Sequence, residues 1–431
     1  MKSFIALWSG QAVSIFGTRL VRFAVVWWIT LQTGSATVLA LLSIAALAPQ
    51  VIVSPFAGAY VDRWNRRRVM AVSDTLIAIS IAVLALLYYT GVVQIWHIIV
   101  VMMFGSTVGS FHYPAMAATT TLMVPKRHLG RIGGMNQTLN GLASILAPPL
   151  GAVLLALLPM GSILAIDVLT ALLAVTVVLV LEIPQPETTE EHMEQHVLEN
   201  LVEGLRYILN WRAMTVIILV AMMINFVVSP AFTLLPILVA VDYAGDESTL
   251  AIIQSTLSVG LVLGGILLSI WGGGRRKIVS GMGILIMVGG GLILISLAPP
   301  RLSPYILAVF FSVGFLISMV NGLLTATLQG IVPPEIQGRV FALFGSLATA
   351  MTPVGLALAG PVADSLGVPF WFLVGGVVTM VMSILALFSG SIRSVKVLDE
   401  NGGRGNGIQP DMAATESSAL DTQSEGTSSG S

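Results

Sequence analysis

The chain contains no cysteine, which excludes disulfides and thiolate metal sites. Charge is scarce. Asp, Glu, Lys and Arg make up 10% of the residues, where a soluble domain carries about 25%. A soluble fold of 431 residues with this composition would lack the polar surface to cover itself. The net charge of −1 gives no nucleic-acid signature. No Gly-x-x-x-x-Gly-Lys-Ser/Thr segment, metal-ligand cluster or nucleophile constellation occurs. The sequence therefore implies neither ATP-driven work nor enzymatic chemistry, and it implies no cofactor.

What is present is an alternation of long apolar runs with short basic gaps. A run of about 20 apolar residues crosses the hydrocarbon core as a helix. Lipid leaves the backbone only helices or a closed barrel, and these runs are too long for barrel strands. The reading is twelve spans, at about 4–31, 38–61, 69–90, 95–122, 131–158, 161–183, 213–241, 249–271, 277–298, 304–331, 338–361 and 368–390. The first is too long for a cleavable signal. The fold class expected is an all-α polytopic membrane protein.

The basic residues test the count. Arg63, Arg66, Arg67 and Arg68 follow span 2; Lys126, Arg127 and Arg131 follow span 4; Arg275, Arg276 and Lys277 follow span 8; Arg339 follows span 10. With Lys2, Arg206, Arg212, Arg393, Lys396 and Arg404 they fall on one side. Only Arg301 falls opposite, and Arg19 and Arg22 lie inside span 1. The positive-inside rule then puts both termini in the cytoplasm, and the expected location is a bacterial inner membrane.

Landmarks repeat at one offset. Val124-Pro125 and Gly130-Arg131 recur as Val332-Pro333 and Gly338-Arg339, 208 residues on, and Arg67-Arg68 recurs as Arg275-Arg276. Two six-span halves related by an axis along the membrane normal are implied, with a site between them. The expected domains are an N-terminal bundle (1–183), a charged linker (184–212), a C-terminal bundle (213–392) and a tail (393–431). In the linker, Leu198, Leu201, Val202, Leu205, Ile208 and Leu209 recur at helical spacing, as in an amphipathic surface helix. The tail, rich in Gly, Ser, Thr and acids, is expected to be disordered.

After span 2 the chain reads Gly58-Ala59-Tyr60-Val61-Asp62-Arg63, then Arg66-Arg67-Arg68. This resembles the signature loop of the major facilitator superfamily, between its second and third helices. Thr33-Gly34-Ser35-Ala36, Phe111-His112-Tyr113-Pro114, Ala165-Ile166-Asp167 and Gly338-Arg339-Val340-Phe341 look like the macrolide-efflux branch of the drug:proton antiporters. The resemblance implies a monomer that exports small amphipathic molecules in exchange for protons, by alternating access. Relatives often carry an Arg in helix 4 where this chain has Gly105. Export of an endogenous metabolite such as a siderophore stays open, as does a non-transporting membrane sensor.

Charges inside spans are costly, so each is a candidate. Arg19 and Arg22 share a helix face; Arg22 is expected to pair with Asp167, or to supply the cation that helix 4 lacks. Asp74 is expected to pair with Arg131 or the loop arginines. The gate set is Gly58, Asp62, Arg63, Arg67, Asp74, Arg131, Gly338 and Arg339, with Asp62 as a conformational latch. His112 titrates in a range suited to proton coupling, and a hydrogen-bonded structural role is the simpler reading. Candidates for the substrate cavity are Phe23, Asn140, Asn225, Phe226 and Asn321. Asn136, Gln137 and Asn140 also suit interhelical hydrogen bonding.

Overall fold

The computed structural model describes residues 2–185, 211–274, 277–299, 303–332 and 336–389. The expected amphipathic linker helix, the tail, Arg275, Arg276 and Arg301 lie outside the described residues, as do the side chains of Asp62 and Arg339. All described elements are helical. They are α1 (Lys2–Thr33), α2 (Ala36–Arg63), α3 (Arg66–Tyr89), α4 (Ile95–Met123), α5 (Leu129–Leu157), α6 (Met160–Val180), α7 (Arg212–Thr233), α8 (Glu247–Trp271), α9 (Lys277–Ser296), α10 (Pro304–Ile331), α11 (Gln337–Leu366) and α12 (Val368–Phe388). Among the described residues, twelve segments are long and apolar enough to cross a membrane.

Local chemistry sets the ends. Ser35, Asn65, Asp246 and Ser303 each accept a backbone N–H bond at the start of α2, α3, α8 and α10, satisfying donors that a helix start leaves bare. Gly272, at φ 73°, closes α8 in the left-handed region. Two expected ends move. Span 11 was expected to stop at Pro361, yet the helix carries Pro361 inside it and ends at Gly367, φ 82°, as lipid-embedded helices permit. Span 7 was expected to run unbroken to 241. Instead α7 stops at Thr233, and a short turn (Leu235–Ile237) and a π turn (Leu238–Asp242) follow. Pro230 and Pro236 remove two helical donors there.

The 208-residue offset holds for whole helices. Adding it to α6 (160–180) gives 368–388, the bounds of α12. Adding it to α4 (95–123) gives 303–331, against 304–331 for α10. The packing repeats as well. In the first half α1 packs on α5 and α6, α2 on α4, and α3 on α4 and α6; in the second, α7 packs on α11 and α12, α8 on α10, and α9 on α10 and α12. Between halves α2 meets α11 and α5 meets α8, which are equivalent pairs. The result is two pseudo-symmetric six-helix bundles.

The two ends of the bundles differ. At the face opposite the arginine-rich connections, one apolar cluster runs across both bundles, from Val21, Leu39 and Ile163 to Leu234, Phe310 and Phe372. Toward the basic face the clusters are separate. One holds Leu7, Met70 and Val178, another Phe4 and Ile132; Ile217 and Leu285 belong to a third, Met214 and Leu328 to a fourth. A Cβ built at Gly58, Gly130, Gly133, Gly134, Gly338 or Gly345 would meet nothing within 4 Å. The bundles thus close on each other at one face and stand apart at the basic one.

Candidate functional site

The closed face is held by polar bonds between the bundles. Asp364, near the end of α11, accepts from the Ala36 N–H at 2.6 Å, the Thr37 N–H at 3.1 Å and the Ser35 hydroxyl at 2.9 Å. A carboxylate is thereby seated on the positive start of α2. Gly360, one turn before it, lies against Thr37 and Ala40, and an added Cβ would come within 2.8 Å of the Thr37 Cα. On the equivalent α5–α8 seam the Ser255 hydroxyl donates to the Ile145 carbonyl at 2.8 Å. Pro149 has no N–H to offer that carbonyl, so the helix break in α5 creates the acceptor that α8 uses. Asp364 and Ser255 were both missed in the sequence. The Gly34-Ser35 break that starts α2 is the only trace of the first.

Between the faces, α1 and α5 line the space between the bundles. Arg19 donates to Asn140 Oδ1 and Ser144 Oγ, each at 2.7 Å. Asn140 and Asn321 are exposed. Arg22 is closely surrounded by protein yet open to solvent, as a side chain in an internal cavity is. It does not pair with Asp167. That carboxylate, 3% exposed, instead accepts from the Thr18 hydroxyl at 3.0 Å. Thr18 stands one turn before Arg22, so a short hydroxyl inside the α1–α6 seam takes the carboxylate while the longer Arg22 extends into the open space.

Other expected roles shift. Phe23 leaves the cavity: it is packed against α5, where a Cβ on Gly151 would come within 2.7 Å of its ring. The missing side chain of Gly151 makes the pocket the ring fills. Asn225 is half-buried and bonds its own helix, donating to the Ala221 carbonyl at 3.0 Å. Phe226 is half-buried, and its carbonyl, freed by Pro230, is covered by Gly355 of α11. Asn136 joins α5 to α1 by accepting from Trp8 Nε1 at 2.7 Å.

In the basic half of the first bundle Asp74 does not pair with Arg131, which is exposed. Asp74 Oδ2 accepts from Gln11 Nε2 at 2.9 Å, and Oδ1 lies 3.1 Å from His112 Nε2. The separated basic ends leave Arg131 out of reach of this buried carboxylate. Arg67 donates to the Val178 and Leu179 carbonyls at the end of α6, and Arg66 reaches the Ala118 carbonyl of α4. Arg63 is exposed, as are Gly338 and, in part, Gly58. Of the expected gate set, no members are joined across the basic face among the described residues.

Twelve lipid-spanning helices in two such bundles, with a polar space opening between them, define a membrane transporter rather than an enzyme. The chain belongs to the Major Facilitator Superfamily, whose family model matches residues 7–355 and 231–410. It is 30% identical over 394 residues to Macrolide efflux protein A of Streptococcus pyogenes, covering 91% of this chain and 97% of that one. It is 27% identical to the multidrug efflux pump Tap of Mycolicibacterium fortuitum, over 88% and 93% of the two chains. In fold it is similar to the nucleoside transporter NupG, with a TM-score of 0.70 at 13% identity, over 92% of this chain and 100% of that one.

Proposed function

We propose that this protein is a secondary active exporter of amphipathic drugs, macrolides among them, which exchanges them for protons by alternating access. It sits in a bacterial inner membrane with both termini in the cytoplasm and works as a monomer. The observation that carries the reading is the similarity to a macrolide efflux protein along nearly the whole chain. The basic residues support the orientation. The arrangement then represents the inward-open state, closed outside by the Asp364 and Ser255 bonds. Outward opening breaks those bonds and brings the basic ends together, where Gly58, Asp62, Arg63, Arg67, Gly338 and Arg339 form the inner gate. Arg22 supplies a cation to the central space.

The energetics suffice. One charge falling through 100 mV releases about 2.3 kcal/mol, and one pH unit adds about 1.4 kcal/mol. One proton per neutral drug thus supports a gradient of a few hundredfold. Expression in a pump-deficient bacterium, scored on a drug panel, tests the proposal. Raised macrolide resistance that collapses with a protonophore is expected. Unchanged sensitivity to every drug, with the protein present in the membrane, refutes the substrate class. Resistance that survives the protonophore refutes the coupling.

A further inference from the structure

Asp74 and His112 form an acid–imidazole contact, buried on the acid side and partly exposed on the imidazole side, inside a lipid-embedded bundle. Asp74 is 9% exposed. Its second oxygen is taken by Gln11, leaving Oδ1 directed at the imidazole. His112 Nε2 is buried and has no aligned hydrogen-bond partner, although the carboxylate oxygen is 3.1 Å away. A neutral imidazole with its N–H on Nε2 faces the carboxylate as a donor, and a second proton on Nδ1 turns the same 3.1 Å contact into an ion pair. The geometry therefore offers a place where the ring can take up a proton beside a carboxylate.

Among the described residues no further charged side chain bonds the pair. From α1 the facing polar group is neutral Gln11. On α3, Arg66 and Arg67 lie two turns nearer the basic face and bond carbonyls of α4 and α6. On α6, Asp167 bonds Thr18 near the other end. On α2, Arg63 is exposed and the Asp62 side chain is not described, and on α5 Arg131 is exposed. Eight residues from Arg66, Asp74 lies roughly 12 Å inside the basic end of α3; eleven from Met123, His112 lies roughly 16 Å inside that of α4. The His112 side chain is 20% exposed, enough for exchange with water.

We propose that the Asp74–His112 pair is a proton-binding site of this transporter, tied to the cavity-lining helix α1 through Gln11. Loading converts carboxylate and neutral imidazole, net −1, to carboxylate and imidazolium, net zero. Unloading returns the proton to water at the open basic face. The proposal rests on the antiport reading and names its proton site.

The test uses the full chain in proteoliposomes with a radiolabelled macrolide. Asp74→Asn and His112→Gln are expected to lose at least tenfold in accumulation driven by a pH difference, while counterflow at equal pH falls no more than about threefold. Asp74→Glu is expected to recover much of the driven transport. Parallel loss of both activities, or no loss, overturns the proposal. A second readout is independent of transport: solid-state NMR of nitrogen-15 histidine, with His112 assigned by its Gln variant. Ring nitrogen signals of His112 that change between the neutral and doubly protonated forms as pH is varied in the native chain are expected, with the change altered in Asp74→Asn. A His112 ring that stays in one protonation state, or that responds identically in Asp74→Asn, overturns the site. If the native chain shows no pH-driven transport, the antiport reading fails, and this spectrum alone decides whether the pair holds a proton.

Discussion

Removing the Asp364 carboxylate should loosen the face at which the two bundles close and, on the proposed cycle, favour the outward-open state. Asp364→Ala deletes an acceptor for three donors at the start of α2, two of them backbone N–H groups. A charge on a helix N-terminus contributes about 0.3–1 kcal/mol, and each hydrogen bond a net 0.5–1.5 kcal/mol in a protected setting. Asp364 is exposed, so water replaces much of what is lost. The expected cost to the externally closed state is about 1–2 kcal/mol, a change of roughly 5- to 30-fold in the ratio of states. Asp364→Asn keeps one acceptor without the charge and should fall between. The assay is distance measurement between spin labels at Val92→Cys and Leu297→Cys, exposed connection positions on the two bundles at the face opposite the basic one. The chain has no native cysteine, so labelling needs no background removal. Ser365→Ala is the control, since its hydroxyl bonds only its own helix at Val362. A long-distance population that does not grow in Asp364→Ala relative to this control would refute the reasoning.

Ser255→Ala should shift the same distance distribution in the same direction by about 1 kcal/mol, because the Ile145 carbonyl then has no donor from α8; Pro149→Ala, which returns a helical N–H to that carbonyl, should make the Ser255 substitution nearly silent. Arg22→Gln should reduce drug resistance at least tenfold while Arg22→Lys keeps part of it, and normal resistance in the Gln variant would remove Arg22 from the mechanism. At the start of α8, hydrogen bonds from the Thr249 side chain and backbone hold the Asp246 carboxyl below its ordinary range. A depressed folded value means that the cap is fully formed above the unfolded pKa of about 3.9 and is lost as pH falls through the folded one. The Thr249 amide should therefore keep its exchange protection down to lower pH than ordinary Asp titration allows, and lose it at all pH values in Asp246→Ala.

The transmembrane plan was legible because lipid makes a simple demand: every span must be long, apolar and helical. The offset linking Gly130-Arg131 to Gly338-Arg339 exposed the repeat, which the α6 and α12 bounds reproduce. Partnerships were less legible. Depth alone suggested Arg22 with Asp167, but the α1–α6 seam put Thr18 nearer. Asp74 looked like a gate residue from its position near the loop arginines; its partners come from α1 and α4, far away in sequence. Asp364 attracted no notice because one acid at the end of a span is unremarkable until α2 is known to start beside it. Phe23 was expected to give a soft apolar wall to the cavity, and the bare Gly151 opposite accounts for its burial instead.

At three glycines the contact between α8 and α10 brings a helix directly against bare main chain. A Cβ at Gly260 or Gly264 would overlap the Phe311 or Phe315 carbonyl, and one at Gly314 would overlap that of Leu257. Backbones approach this closely in the small-residue interfaces of other membrane helices. In a cycle of alternating access the two rods are expected to move as one lever, so that a motion parting α8 from α5 also carries α10. Even an alanine at Gly260, Gly264 or Gly314 should force these helices apart without altering any side chain of the central space.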